Sequence, residues 1–254
     1  MRVHFPGVVL GLLAINGLAG AGEFQSNGVK IHYEVAGQGE PVILVHGLYS
    51  SAKMNWDLPG ITAALAKHYR VIALDNRGHG QSDKPEAENA YGTEMAEDVV
   101  RLMDHLQIRQ ARLVGYSMGG MIAMKALTMH PERFTSVVLG GMGWLKEGTP
   151  LQHSWEVMGG RSGGTVPPAC LHGLAKLAVT EEQVKAVHVP VTMIVGERDP
   201  CRRMYVEPLV KVRPDWPEKV VAGAGHINCI GKPEFLSQLE AALGGGNLAA
   251  GNAR

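Results

Sequence analysis

Cysteine is scarce in this chain of 254 residues: Cys170, Cys201 and Cys229 are the whole supply. A disulfide-dense scaffold is therefore excluded. No C-x-x-C or H-E-x-x-H stretch occurs, and no other ligand spacing reads as a metal site. Net charge is also lacking, since 24 basic residues balance 24 acidic ones. With no basic excess there is no electrostatic footprint for nucleic acid and no field to draw an anionic membrane. Past the N-terminal segment, no apolar run is long enough to span a bilayer. Internal repeats are missing too. What is present is ordinary: 45% hydrophobic and 19% charged residues, in a length that fits one large α/β domain with its own core.

The first residues read as a targeting segment. Arg2 and His4 precede an apolar run from Phe5 to Leu18, and Ala19-Gly20-Ala21 follows as an A-x-A-like cleavage pattern. Residues 1–21 are expected to be a secretory signal peptide, with a retained anchor or a badly patterned β-hairpin as the alternatives. Cleavage after Ala21 implies a periplasmic or secreted protein without a stable membrane span.

Beyond it, short apolar runs alternate with helical patterns. Asn27-Gly28 marks a tight turn, and Lys30–Val35 alternates as a half-exposed strand. Strands are expected at Pro41–Val45, Arg70–Leu74, Ala111–Gly115, Phe134–Leu139, Val191–Val195 and Lys219–Val221. Helical spacing runs from Asp57 or Pro59 to His68, from an N-cap at Thr93 to Leu106, and over Met118–Met129, Arg203–Val212 and Pro233–Leu243. Residues 141–182 break the rhythm with Gly159-Gly160, Gly163-Gly164 and Pro167-Pro168, and read as a short lid insert. The tail from Gly244 is expected to lack order. The alternation predicts one α/β domain over residues 22–254. Its sheet is mostly parallel and twisted, opened by an antiparallel hairpin, with helices on both faces.

Gly115-Tyr116-Ser117-Met118-Gly119 matches G-x-S-x-G. Alone the pattern is weak, but a strand runs into it and a helix runs out. That is the setting in which a sharp turn presents a serine nucleophile. A serine hydroxyl needs a base. His226, in the loop after the last strand, is the candidate; His46 and His79 follow earlier strands and are its rivals. The base needs an acid to hold its tautomer. Asp199 follows strand Val191–Val195 and precedes His226, with Glu197 as the local rival. Oxyanion donors are expected at the N–H groups of Leu48 and Met118, with Tyr49 the alternative to Leu48. Tyr49, Trp56, Met142 and Trp144 are candidate pocket residues, each equally readable as core. If Asp199 touches His226, Cys201 and Cys229 lie on neighbouring loops, where a disulfide would brace the pair, with buried free thiols as the alternative.

Together these pieces resemble the α/β-hydrolase superfamily. The matching stretches are His46-Gly47-Leu48, Asp75-Asn76-Arg77-Gly78-His79-Gly80-Gln81-Ser82, Gly115–Gly120, Gly196–Asp199 and Gly225-His226. The resemblance implies the α/β-hydrolase fold, a Ser117–Asp199–His226 triad and a structural role for the Asp75–Ser82 loop. It implies no cofactor. Related epoxide hydrolases and haloalkane dehalogenases carry aspartate where Ser117 stands, so serine points to acyl transfer on a small-molecule ester or lipid-like substrate. A carbon–carbon bond hydrolase of the same fold and a non-catalytic ligand-binding member are the alternatives.

Overall fold

The computed structural model describes residues 20–158 and 165–244. Among these residues, eight strands form one sheet in the order β1-β2-β4-β3-β5-β6-β7-β8. β1 (Gly20–Ser26) and β2 (Val29–Ala36) make the hairpin expected at Asn27-Gly28. Both turn residues have positive φ, 49° and 78°, as a two-residue turn that follows strand twist requires. β2 also pairs antiparallel with β4 (Tyr69–Leu74). β4, β3 (Glu40–Val45), β5 (Ala111–Tyr116), β6 (Phe134–Gly140), β7 (Val191–Gly196) and β8 (Glu218–Val221) all run parallel.

The strand order positions the site. The chain leaves β3 toward β4 on one side and later places β5 on the other. At such a switch point a crevice opens beyond the carboxyl ends of the strands. Val45 pairs with Gly115, so the loops after β3 and β5 begin side by side.

Alternation along each strand sorts side chains into two cores. Ile43 and Val45 pack with α2 (Thr93–His105) and α3 (Met118–Met129). Val42 and Leu44 pack with α1 (Ile61–Leu65) and α8 (Pro233–Ala242). Burial on both faces is why these strands read as unbroken apolar runs. The insert folds as α4 (Pro150–Met158), α5 (Pro168–Gly173) and the start of α6 (Glu181–Lys185). Cys170, Leu171, Leu174 and Leu177 join the core of α2 and α3, so this part of the insert is packed onto the body.

Three helix ends differ from expectation. Thr93 is not a cap: Gly92 precedes the helix at φ 70°, and Thr93 is already inside it. A Cβ on Gly92 would meet the Gly173 carbonyl oxygen at 2.7 Å, so contact with α5 sets this start. The helix expected up to His68 shrinks to α1, because Gly60 turns the chain at φ 81°. The helix expected from Arg203 begins as a wide π turn, Arg202–Val206, before α7 (Glu207–Val212). Pro208 lacks the N–H that a regular turn would use there.

The Asp75–Ser82 loop is a structural hub, as its resemblance implied. Asp75 Oδ1 accepts the Ala52 N–H at 2.8 Å and Oδ2 the Gln81 N–H at 2.8 Å. Arg77, buried, donates from Nε and Nη2 to the two oxygens of Asp98 at 2.7 and 2.6 Å. Ser26 Oγ also donates to Asp98, so this clamp ties β1, the hub loop and α2 together.

Residues 1–19, 159–164 and 245–254 lie outside the described residues, and with them most of the expected signal segment, the two glycine pairs of the insert and nearly all of the expected tail. Gly20 and Ala21 belong to β1, opposite Val35 and Glu34. Cleavage after Ala21 would shorten that strand by those two residues. Among the described residues no helix is long and apolar enough to cross a membrane.

Candidate active site

Ser117 sits at the end of β5 with φ 54° and ψ −120°. That conformation is strained for a residue with a Cβ, and surrounding contacts must hold it. The Ser117 N–H donates to the Gly140 carbonyl at 2.8 Å. The flanking glycines are steric necessities. A Cβ on Gly115 would lie 2.1 Å from the Gly119 carbonyl oxygen, and one on Gly119 would lie 2.0 Å from that of Val45.

The structure brings the three candidate catalytic residues together. His226 Nε2 is 2.8 Å from Ser117 Oγ, and His226 Nδ1 is 2.8 Å from Asp199 Oδ2. Nδ1 therefore donates to the carboxylate, and Nε2 is left to accept the serine proton. The Asp199 carboxylate is fully buried, and its second oxygen accepts the Cys201 N–H at 2.8 Å. The rival Glu197 is exposed and instead accepts the Gly223 N–H at 2.7 Å.

The rival histidines are structural. His46 Nε2 accepts the Asn76 N–H at 3.0 Å, and the His46 and His79 rings lie 5.3 Å apart in the core. Burial lowers both imidazoles, His79 to about 3 from an ordinary 6.5. His79 is thus uncharged when folded, yet takes a proton when unfolded. Its contribution to stability is whole above pH 6.5 and is lost as pH falls toward 3. Between those limits stability is expected to drop by on the order of 1 kcal/mol per pH unit from His79 alone. Thermal melts from pH 7 to 4.5 check this, and a flat Tm would refute it.

The loop after β3 carries the candidate oxyanion donor Leu48 and begins beside the nucleophile turn. Gly47 packs on the nucleophile, a Cβ there lying 3.3 Å from Ser117 Cβ. Among the described residues, the Leu48 and Met118 N–H groups donate to no protein acceptor. They are placed to receive a developing negative charge. Tyr49, at φ 59°, lies one residue further along the same loop.

Two supporting residues carried no signal that sequence reading used. Asn55 Oδ1 accepts the Gly47 N–H at 2.8 Å and so holds the oxyanion loop; it sits in an irregular π turn, Lys53–Asp57, that no motif marks. Tyr116, the variable position before the nucleophile, donates its hydroxyl to the His226 carbonyl at 2.5 Å. Replacing Asn55 with alanine is expected to lower kcat on the order of tenfold, about 1.4 kcal/mol, with little change in KM. Steady-state kinetics on an ester check it.

A cleft of about 380 Å³ opens over Ser117. Leu48, Tyr49, Met54, Ile227 and Ile230 form its apolar wall. Tyr49 is therefore a wall residue, but the other three pocket candidates are not. Trp56 is fully buried in the core under α1 and α8. Met142 packs where Gly120 leaves room, and Trp144 is buried with its Nε1–H on the Val179 carbonyl at 2.9 Å. Apolar aromatics and methionines near a loop satisfy core packing as readily as a pocket, and here the core claims them. No described residue of the insert lines the cleft. A second cavity, about 430 Å³ beside Glu34 and Asp57, shares no residue with it.

The expected disulfide is absent: Cys170, Cys201 and Cys229 are free thiols. Each candidate sulfur is engaged elsewhere, Cys201 with the Asp199 carboxylate and Cys229 with the Tyr116 hydroxyl. Burial, with Asp199 close by, pushes Cys201 up to about 12 and Cys229 to about 11. Neither is a thiolate nucleophile at neutral pH.

Known proteins agree with this architecture. A family model described as the alpha/beta hydrolase fold matches residues 40–159. An uncharacterised hydrolase of Bacillus subtilis, YugF, is 37% identical over 131 residues, 50% of this chain and 46% of that protein. A 2-hydroxymuconate semialdehyde hydrolase of Pseudomonas sp. is 38% identical over 122 residues, 47% of this chain and 42% of its own. The matched stretch thus spans less than half the length of these relatives. The enol-lactonase structure from Burkholderia xenovorans superimposes with TM-score 0.73 at 23% identity, over 88% of this chain and 100% of that one. With its switched parallel sheet, strained serine turn and matched family model, the chain is an α/β-hydrolase-fold protein.

Proposed function

We propose that the protein is a serine hydrolase that cleaves carboxylic esters through an acyl-enzyme. The observation that carries this reading is the linked pair of 2.8 Å contacts, Ser117 Oγ to His226 Nε2 and His226 Nδ1 to Asp199 Oδ2. Ser117 Oγ attacks the ester carbonyl while His226 takes its proton. Charge gathers on the carbonyl oxygen, where the Leu48 and Met118 N–H groups meet it. Collapse expels the alcohol, protonated by His226. A water, activated by the same imidazole, then releases the acid. Preorganised backbone donors supply several kcal/mol to such a step.

The cleft wall supports esters over a dienoate such as 2-hydroxymuconate semialdehyde, the compound in the Pseudomonas relative's name. A dienoate product carries a carboxylate, and among the described lining residues no Lys or Arg is present to pair with it. The wall is apolar and open, which suits an acyl chain. Labelling with a fluorophosphonate, followed by assays on p-nitrophenyl esters of increasing chain length and on a vinylogous diketone, tests the reading. Stoichiometric labelling and ester turnover are expected. Turnover of the diketone alone would favour carbon–carbon cleavage; no labelling at all would refute a nucleophilic serine.

A further inference from the structure

The residue pair that orients the base has a third neighbour that the proposed reaction does not use. The ligand atoms of Asp199, Cys201 and His226 all lie within 4.8 Å of one another. Among the described residues no other group of three or more His, Cys, Asp or Glu side chains meets this closely. The trio comes from two loops, after β7 and after β8, which is why ligand spacing along the chain does not reveal it. We propose that these three side chains form a binding site for a borderline-soft divalent cation, with Zn2+ the best match, whose occupancy switches the hydrolase off. The proposal rests on the reading of His226 as the catalytic base.

The donor set selects the ion. One sulfur, one imidazole nitrogen and one carboxylate oxygen suit zinc, whereas magnesium and calcium favour oxygen alone. Three protein ligands leave a fourth position for water. Zinc bonds of 2.0–2.3 Å set tetrahedral ligand separations of roughly 3.3–3.8 Å, so the trio is close to the needed spacing. The Asp199–His226 contact at 2.8 Å must part by about 0.5–1 Å to admit the metal. The His226 side chain is 25% exposed and Cys201 is half-buried, so a cation can arrive without unfolding.

Occupancy and catalysis exclude each other for a proton-level reason. In the working state Nδ1 carries the imidazole proton and Nε2 accepts from Ser117. A metal on Nδ1 takes the lone pair there, so the ring proton must move to Nε2. Nε2 then donates to Ser117 Oγ and cannot accept its proton. Cys201 loses its thiol proton to water, one proton is released per metal bound, and nothing is oxidised or reduced. Asp199 gives up the imidazole for the ion.

Zn2+ titrated into the full chain, kept reduced with a phosphine, should inhibit ester hydrolysis saturably, and a chelator should reverse it. Co2+ gives a readout independent of activity: one equivalent should produce thiolate-to-cobalt charge-transfer absorption. Cys201→Ala keeps the backbone N–H that serves Asp199, and its inhibition is read against its own metal-free turnover. It should lose the cobalt band and need on the order of tenfold or more Zn2+ for half inhibition. Cys229→Ala should leave the cobalt band in place, and Cys201→Ser serves if the alanine variant does not fold. Equal inhibition and equal cobalt absorption with and without the Cys201 sulfur would overturn the site, as would the lack of a band in the parent. A cobalt band in a protein that hydrolyses no ester would keep the site and overturn the proposed function instead. Ester turnover without a band would overturn only the metal site.

Discussion

Alanine at position 117 is expected to lower kcat/KM for a p-nitrophenyl ester by about 10⁴–10⁶-fold, the range that separates an intact triad from its oxyanion hole acting alone. The reason is that Oγ is the atom that bonds to carbon, and no neighbouring group can substitute for it. Both nearby thiols are held protonated by burial and by Asp199. Leu48 and Met118 remain in place, so a small residual rate should persist rather than none. Fluorophosphonate labelling should vanish in the same variant. Asp199→Asn should cost about 10⁴-fold by a different route, because an amide that donates toward Nδ1 favours the wrong tautomer. An Ser117→Ala protein that still labels and turns over would sink the assignment of the nucleophile.

Asp98→Ala is expected to be the most destabilising single change far from the site. It leaves Arg77, 1% exposed, without its bidentate carboxylate and with the Glu94 carboxylate, 3.8 Å away, as the remaining ion-pair partner. Breaking such a buried pair from one side costs about 3–5 kcal/mol, which in a domain of this size lowers Tm by roughly 10 °C or more. The same variant also strips Ser26 of its acceptor and frees β1 from α2. The double change Arg77→Met with Asp98→Leu should recover much of that loss, since an apolar pair of similar volume need not be solvated. Thermal melts of the three proteins decide it; an Asp98→Ala melt within about 2 °C of the parent would refute the clamp's importance. Ester turnover below the melting range should be unchanged in all three.

Much of the site was legible along the chain because its chemistry is local. A strand, a glycine, a serine and a helix in immediate succession force the Ser117 turn. Asp199 was legible because it follows a buried strand whose apolar run is unmistakable, and His226 because it sits in the loop after the last strand, the short edge strand β8. Asn55 and Tyr116 were not, since each acts through one hydrogen bond to backbone from a different element. Trp56, Met142 and Trp144 misled for the opposite reason: apolar side chains carry no mark that separates a cleft wall from a core. The Cys201–Cys229 expectation was right that these loops adjoin the Asp199–His226 pair. It failed because it could not foresee that each sulfur faces a different polar partner. Helix ends failed where a glycine elsewhere in the fold set them, as Gly92 does against α5.

The sequence alone determined the inner strands β3–β7, their burial on both faces, the left-handed turn at Asn27-Gly28 and the serine turn at Ser117, because period, propensity and glycine geometry act over a few residues. Only the tertiary structure decided that β3 and β5 lie side by side, and so that the loops carrying Leu48 and Met118 adjoin. It alone brought Asp199, Cys201 and His226 within 4.8 Å of one another. Distances between loops follow from strand order, and strand order is set by how the whole sheet buries its two faces.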